Sequence, residues 1–81
     1  MPTAKQWAAS AFRKIECASS IGPFLVGYDS ATDEMRVIKA STDVARKYAT
    51  RRPNYIVGYY TDSVIPQQIE DDLVACGCAA E

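Results

Sequence analysis

The stretch NYIVGYY, at residues 54–60, is the strongest strand pattern in this chain and decides its fold. Apolar and aromatic residues fill the stretch, and the period of two in a strand divides its side chains between two faces. The faces consist of Tyr55, Val57 and Tyr59 on one side and of Ile56, Gly58 and Tyr60 on the other. Because both faces are largely apolar, we expect both to be covered and the strand to occupy a central position.

Two predicted strands precede this stretch as a hairpin. Phe24–Asp29 has the composition of a strand, Ser30–Glu34 is a polar connection of hairpin length, and Met35–Ala40 is the return strand. A helical pattern then leads to residues 54–60, and the right-handed crossover rule favours a last strand parallel to the second and beside the first. The sequence therefore predicts a three-stranded mixed or antiparallel sheet, whose exposed edges invite pairing with another chain.

Three helices complete the predicted order α-β-β-α-β-α, which is that of one α+β domain over residues 1–81. The first helix begins at the cap Thr3, with Gln6 completing a capping box, and ends within Ser19–Pro23. The second helix extends from the cap Ser41 to Pro53, and the third extends from Pro66 to Gly77.

The composition argues against most kinds of catalysis. The chain has 81 residues, of which 48% are apolar and 23% are charged, as is typical of a globular protein. It contains no histidine, so it lacks the commonest general base and the commonest metal ligand. Neither a Gly-x-Ser-x-Gly motif nor a phosphate-binding glycine loop is present. We therefore expect a protein that is not an enzyme and that uses no cofactor.

The cysteines Cys17, Cys76 and Cys78 predict free thiols in a reducing compartment. Their number is odd, and the last two are too close in sequence to pair comfortably. With Asp71 or Asp72 they could supply a zinc shell, but they lack the paired spacing of structural zinc sites. We instead expect small apolar helix residues and, for Cys78, a frayed tail. The chain has no leader pattern and no apolar segment long enough for a bilayer, so we expect a cytoplasmic protein without membrane contact.

Charge is distributed unevenly along the chain. Residues 1–55 hold all nine basic side chains and five acidic ones, a net charge of +4. Residues 56–81 hold five acidic side chains and no basic one, a net charge of −5. The overall net charge of −1 therefore hides a dipolar chain.

These features favour a small protein-interaction module. Arginine and tyrosine are enriched at the energetic centres of protein interfaces, and the basic segment Arg46–Arg52 contains both. In the pair Tyr59-Tyr60 the rings point to opposite faces, so we expect one in the core and the other in solvent or against a partner. The expected contact residues are Tyr48, Arg51, Arg52, Tyr59 and Tyr60, with the acidic cluster Glu70, Asp71 and Asp72 as a separate candidate.

Two other functions are open from the residues alone. Arginines of the Arg46–Arg52 helix attract phosphates and neighbouring tyrosines can stack bases, as in a nucleic-acid-binding module. The pI of about 5.3 lies below the values typical of such modules, which makes this the less favoured alternative. A domain this small is marginally stable alone, and association with a second copy would stabilise it. A homodimeric structural domain is therefore the third hypothesis. The plainest interpretation of the basic segment is solvated charge that complements the helix dipole.

Two short segments carry a local resemblance to a known family. PNYIV at Pro53–Val57 follows a short alanine-containing helix, and IPQQ at Ile65–Gln68 lies downstream. Together they resemble the end of certain small phage anti-CRISPR proteins that act on type I systems. The resemblance covers a minority of the chain. It implies a phage-encoded, non-enzymatic inhibitor that occludes a site on a nucleoprotein complex in the host cytoplasm.

Overall fold

The structure, a computed structural model, describes residues 2–18 and 22–80 and has the predicted α+β class and element order. The elements are α1 (Ala4–Glu16), β1 (Phe24–Asp29), β2 (Glu34–Lys39), α2 (Asp43–Arg51), β3 (Ile56–Tyr60) and α3 (Pro66–Ala75). A short 3-10 turn, Pro53–Tyr55, precedes β3. The predicted end of the first helix at Ser19 and Ser20 lies outside the described residues, and α1 itself ends at Glu16.

The sheet has the order β2-β1-β3, and both strand pairs are antiparallel. The antiparallel alternative and the position of β3 beside β1 are therefore confirmed. The expectation of a central position for residues 54–60 is wrong, because β1 is the central strand and all six of its residues are buried. Apolar residues on both faces show that helices cover both sides of a strand, but they do not distinguish an edge strand from a central one.

Helices lie on both faces of the sheet. The main hydrophobic core is formed on one face, where α1 and α3 pack against each other and against Phe24, Val26 and Tyr28 of β1. The largest fully buried side chains of the described residues are Ile15, Leu25, Val26, Ile69 and Leu73. On the opposite face α2 covers β1, where the ring of Tyr48 lies directly against Gly27.

A β-bulge in β3 changes which of its residues share a face. The register between β1 and β3 shifts between Val26 and Gly27. One extra residue is thereby accommodated in β3, and Val57 packs against the main core together with Tyr60. The predicted sharing of one face by Val57 and Tyr59 is wrong for this reason, since Tyr59 is exposed.

The starts of the helices follow the sequence with one exception. The capping box of Thr3 and Gln6 is confirmed. The second helix is capped by Thr42 and not by Ser41, because the Thr42 hydroxyl accepts from the N–H of Ala45 while it donates to the carbonyl of Lys39. Across the described ranges 2–18 and 22–80, no helix is both long and apolar enough to cross a bilayer.

The C-terminal end of the chain is packed and does not form the frayed tail expected for Cys78. Gly77 adopts a left-handed φ of 96° and reverses the chain after α3. The N–H of Cys78 then donates to the carbonyl of Leu73, and the N–H of Ala4 donates to the carbonyl of Ala79. Cys78 is consequently buried in the main core.

Candidate functional site

A groove between α2 and β2 is the main candidate site. It measures about 360 Å³ and collects basic side chains from both elements. Its lining residues are Glu34 and Arg36 of β2, Val44, Lys47, Tyr48 and Arg51 of α2, and Arg52. Four of these side chains are cationic and one is a carboxylate. We call this feature the basic groove.

The floor of the basic groove is the ring of Tyr48. A Cβ atom placed on Gly27 would overlap the Cε1 atom of this ring, so glycine is required for the ring to lie this close to the sheet. Burial raises the pKa of the Tyr48 hydroxyl, and the cations of Arg52 and Arg36 partly oppose that shift. The ring is therefore held in place between the helix and the sheet and stays uncharged at neutral pH.

One wall of the groove is anchored by Arg52. Its Nη1 atom lies 3.2 Å from Oδ2 of Asp29, a residue that is 5% exposed. The other oxygen of this carboxylate accepts from the N–H of Ala31 at 3.0 Å. The guanidinium carbon of Arg52 also lies 5.5 Å from the ring centroid of Tyr55, within the range of a cation–π contact. Arg52 therefore serves the fold as well as the groove.

On α2, Lys47 and Arg51 are the cations available to a partner. They lie one helical turn apart on the exposed side of α2. Among the residues that the structure describes, neither forms an ion pair, whereas Arg46 pairs with Asp43 at 3.2 Å. Val44 precedes Lys47 by one turn and is 56% exposed. The free cations thus adjoin an exposed apolar side chain, a combination suited to an interface.

The five residues expected to form one contact surface do not converge. Tyr48, Arg51 and Arg52 meet in the basic groove. Tyr60 is 4% exposed, its ring lies in the main core, and it cannot contact a partner. Tyr59 is 57% exposed but belongs to β3, the edge strand on the far side of β1 from β2. The prediction that one ring of the pair Tyr59-Tyr60 is buried and the other exposed is correct. The prediction that Tyr60 belongs to the contact surface is wrong.

The acidic cluster is divided in the same way. Consecutive positions on a helix point in different directions, so the three carboxylates separate. Glu70 and Asp71 both accept hydrogen bonds from the amide of Gln67, at 3.0 and 2.9 Å. Asp72 turns towards the sheet, where its carboxylate accepts a hydrogen bond from the hydroxyl of Tyr60. Glu70 and Asp71 remain as an acidic surface on the face of the molecule opposite to the basic groove, and Asp72 is a structural residue.

Sequence reasoning missed the contribution of β2 and part of α2 to the groove. Arg36 pairs with Gly27 across the ladder, and this places it on the same face of the sheet as Tyr48. The signal was present in the strand, since Met35 and Val37 point to the core and the residue between them must point the other way. In α2, the helical spacing of Val44, Lys47 and Arg51 marks the stripe that faces this strand.

The three thiols are dispersed in the structure. Cys17 is exposed just beyond α1, Cys76 is half-buried at the end of α3, and Cys78 is buried. Burial, assisted by the nearby carboxylate of Asp72, raises the pKa of the Cys76 thiol. Within residues 2–18 and 22–80, no three cysteine or carboxylate side chains are grouped closely enough to hold a metal ion.

The chemistry of the basic groove is suited to binding an anionic partner. Guanidinium and ammonium groups stay charged at neutral pH and bind carboxylates or phosphates through charge-assisted hydrogen bonds. The exposed methyl groups of Val44 add apolar surface to these charges.

Comparisons of the chain with models of protein families, with curated proteins and with solved structures found no match.

Proposed function

We propose that this protein is a protein-binding module that holds an acidic segment of a partner in the basic groove. The observation that carries the proposal is the convergence of four cations around an exposed valine and a half-buried tyrosine, with Glu34 as the one opposing carboxylate among the lining residues. Electrostatic complementarity would steer the partner and fix its register, and the apolar contacts would contribute affinity.

The composition of the groove favours a protein over a nucleic acid. Sequence-tolerant binding of single strands uses exposed aromatic rings on which bases stack, arranged along a basic track. In this molecule the ring in the basic groove, that of Tyr48, is pressed against Gly27. The exposed ring, that of Tyr59, lies on the other edge strand.

We propose occlusion as the mechanism. A module of this size that occupies a site on a larger complex prevents other molecules from reaching that site, and it needs no reactive group to do so. A phage-encoded inhibitor of a nucleoprotein complex, as implied by the resemblance of Pro53–Val57 and Ile65–Gln68 to anti-CRISPR proteins, would act in this way. The basic groove is the part of this hypothesis to test.

The test compares charge reversal inside and outside the groove. Lys47→Glu with Arg51→Glu reverses two groove cations that support no ion pair among the described residues. Arg13→Glu with Lys14→Glu makes the same change of charge on exposed positions of α1 and serves as the matched control. The probe is a fluorescent peptide of roughly ten residues with alternating glutamate and valine. Its length is about twice that of a typical strand. Fluorescence anisotropy measures its Kd.

We expect the groove variant to bind this peptide at least about tenfold more weakly than the parent, and the control variant to bind within about twofold. Circular dichroism checks that both variants are folded. Equal losses in the two variants would show that net charge, and not the groove, attracts the peptide. Tighter binding of a thymidine oligonucleotide with the same number of charges would instead favour the nucleic-acid alternative. Light scattering over a dilution series of the parent tests the homodimer hypothesis in the same samples.

A further inference from the structure

The edge strand β2 forms one border of the basic groove. Within the part of the chain that the structure describes, its one hydrogen-bonded neighbour in the sheet is β1, so the side of β2 that faces away from β1 is an unpaired edge there. Two residues of β2 contribute side chains to the groove, namely Glu34 and Arg36. The backbone edge and the basic groove therefore adjoin each other along this strand.

The register of the hairpin shows which backbone groups are unpaired. The N–H of Ala40 donates to the carbonyl of Pro23 at 3.0 Å, which makes these two residues a hydrogen-bonded pair. Bonded and non-bonded pairs alternate along an antiparallel ladder, so Met35 and Val37 occupy non-bonded pairs with Tyr28 and Val26. Their amide and carbonyl groups point away from β1. No hydrogen bond among residues 2–18 and 22–80 takes up these four groups from another segment.

We infer that the acidic segment binds as a fourth, antiparallel strand of the sheet, hydrogen-bonded to Met35 and Val37. This inference rests on the proposed function and specifies how the partner is held. An added strand satisfies the four unpaired backbone groups, which supplies affinity without any requirement on sequence. Specificity then comes from alternate side chains of the segment, which enter the basic groove.

The geometry of an antiparallel pair determines which side chains of the segment enter the basic groove and which lie on the opposite face of the sheet. Directly opposite residues share a face of the sheet. Residues opposite Met35 and Val37 direct their N–H groups towards β2 and their side chains towards the face that carries α1, where Val37 is half-buried and offers an apolar neighbour. The intervening residues direct their side chains to the groove, where Arg36, Lys47 and Arg51 favour carboxylates. The expected segment therefore alternates acidic and apolar residues over a strand length.

Backbone methylation of the peptide tests the inference without altering the protein. In the alternating glutamate–valine peptide, the valine N–H groups face β2 and the glutamate N–H groups face solvent. Peptides methylated on the amide nitrogen of two central valines, or of the two adjacent glutamates, carry the same number of methyl groups and the same charge. We expect the valine-methylated peptide to bind at least about tenfold more weakly than the unmodified one, and the glutamate-methylated peptide to bind within about threefold.

The outcomes separate this inference from the proposed function. Equal affinities of the two methylated peptides would overturn strand addition, and the reverse order would overturn the antiparallel orientation. In either case, weaker binding of the unmodified peptide to the Lys47→Glu, Arg51→Glu variant would still support the groove as a protein-binding site. If the unmodified peptide does not bind the parent protein, the proposed function itself fails.

Amide hydrogen exchange supplies a second readout on the protein side. Binding of the unmodified peptide should slow exchange at the N–H groups of Met35 and Val37 by about tenfold or more at saturation. The N–H groups of Arg36 and Ile38 already bond to β1 and should change little. Equal slowing at all four amides, or slowing at none, would overturn the inference.

Discussion

The guanidinium of Arg52, just beyond α2, lies 3.2 Å from the carboxylate of Asp29 at the end of β1. The Asp29 side chain is 7% exposed, and within the described ranges Asp29 is the charged residue that is buried. A buried carboxylate is tolerated where it is paired and hydrogen-bonded, as here by Arg52 and by the N–H of Ala31. This pair therefore fixes the end of α2, and with it one wall of the basic groove, against the central strand.

Loss of this pair should destabilise the fold. We expect Arg52→Gln to lower the free energy of unfolding by about 1–2 kcal/mol, because Asp29 keeps its backbone donor but loses its cation. The value is modest for a buried carboxylate because the Arg52 side chain is 47% exposed. Urea denaturation of Arg52→Gln, Asp29→Asn and the double variant gives the coupling free energy. Arg51→Gln is the matched control, with an expected change below about 0.5 kcal/mol. Additive effects of the two single variants would contradict the role of the pair.

The contact between Gly27 and Tyr48 leads to a second prediction. A methyl group on Gly27 would overlap the ring of Tyr48, so Gly27→Ala should displace the ring and lower the free energy of unfolding by about 1–3 kcal/mol. In a Tyr48→Ala background the same change should cost much less, because the obstructing ring is gone. Urea denaturation of the four proteins measures the difference. An equal cost of Gly27→Ala in both backgrounds would show that the strand, and not the ring, requires glycine.

The order of the helices and strands could be predicted from the sequence, whereas the register of the strands could not. Element order, the capping box at Thr3 and the placement of β3 beside β1 follow from periodicity, caps and the crossover rule. The bulge that turns Val57 to the core depends on the register of β3 against β1. Register is set by pairing between strands that are distant in sequence, so alternation within one strand does not reveal it.

The candidate site was predicted only in the part that lies on one helix. Tyr48 and Arg51 are one turn apart, and helical spacing alone brings them together. Arg36 joins them because α2 packs on one particular face of the sheet, which is a tertiary property. Tyr59 and Tyr60 were placed with the arginines by proximity in sequence. The strand pleat and the order β2-β1-β3 separate them instead.

The burial of Cys78 leads to a prediction about thiol reactivity. In the folded protein Cys17 is exposed, Cys76 is half-buried and Cys78 is buried. We expect a maleimide reagent at neutral pH to label Cys17 first and Cys78 last, because a buried thiol reacts only when the structure opens. Peptide mass spectrometry of a labelling time course identifies the order. In denaturant the three rates should become similar, which controls for intrinsic reactivity. Early labelling of Cys78 would mean that the chain beyond Gly77 is not packed.

The buried tyrosines predict a loss of stability at alkaline pH. Burial, followed by the hydrogen bond to Asp72, raises the pKa of Tyr60 well above its usual value. Burial and the hydrogen bond to Asp33 act in the same direction on the pKa of Tyr28. The unfolded chain loses these protons at about pH 10, whereas the folded protein retains them. Their contribution to stability is therefore fully present below about pH 10 and is lost as the pH rises above it.

Removal of the Tyr60 hydroxyl should reduce this pH dependence. Each retained proton makes the free energy of unfolding fall by up to about 1.4 kcal/mol per pH unit above about pH 10. Tyr60→Phe should be less stable than the parent at neutral pH, since Asp72 loses its donor, but its stability should fall less steeply between about pH 10 and about pH 11. Urea denaturation at neutral and alkaline pH measures both quantities. Tyr59→Phe, which removes a neighbouring hydroxyl from an exposed ring, should keep the slope of the parent. Identical slopes for Tyr60→Phe and the parent would contradict the retention of this proton in the folded protein.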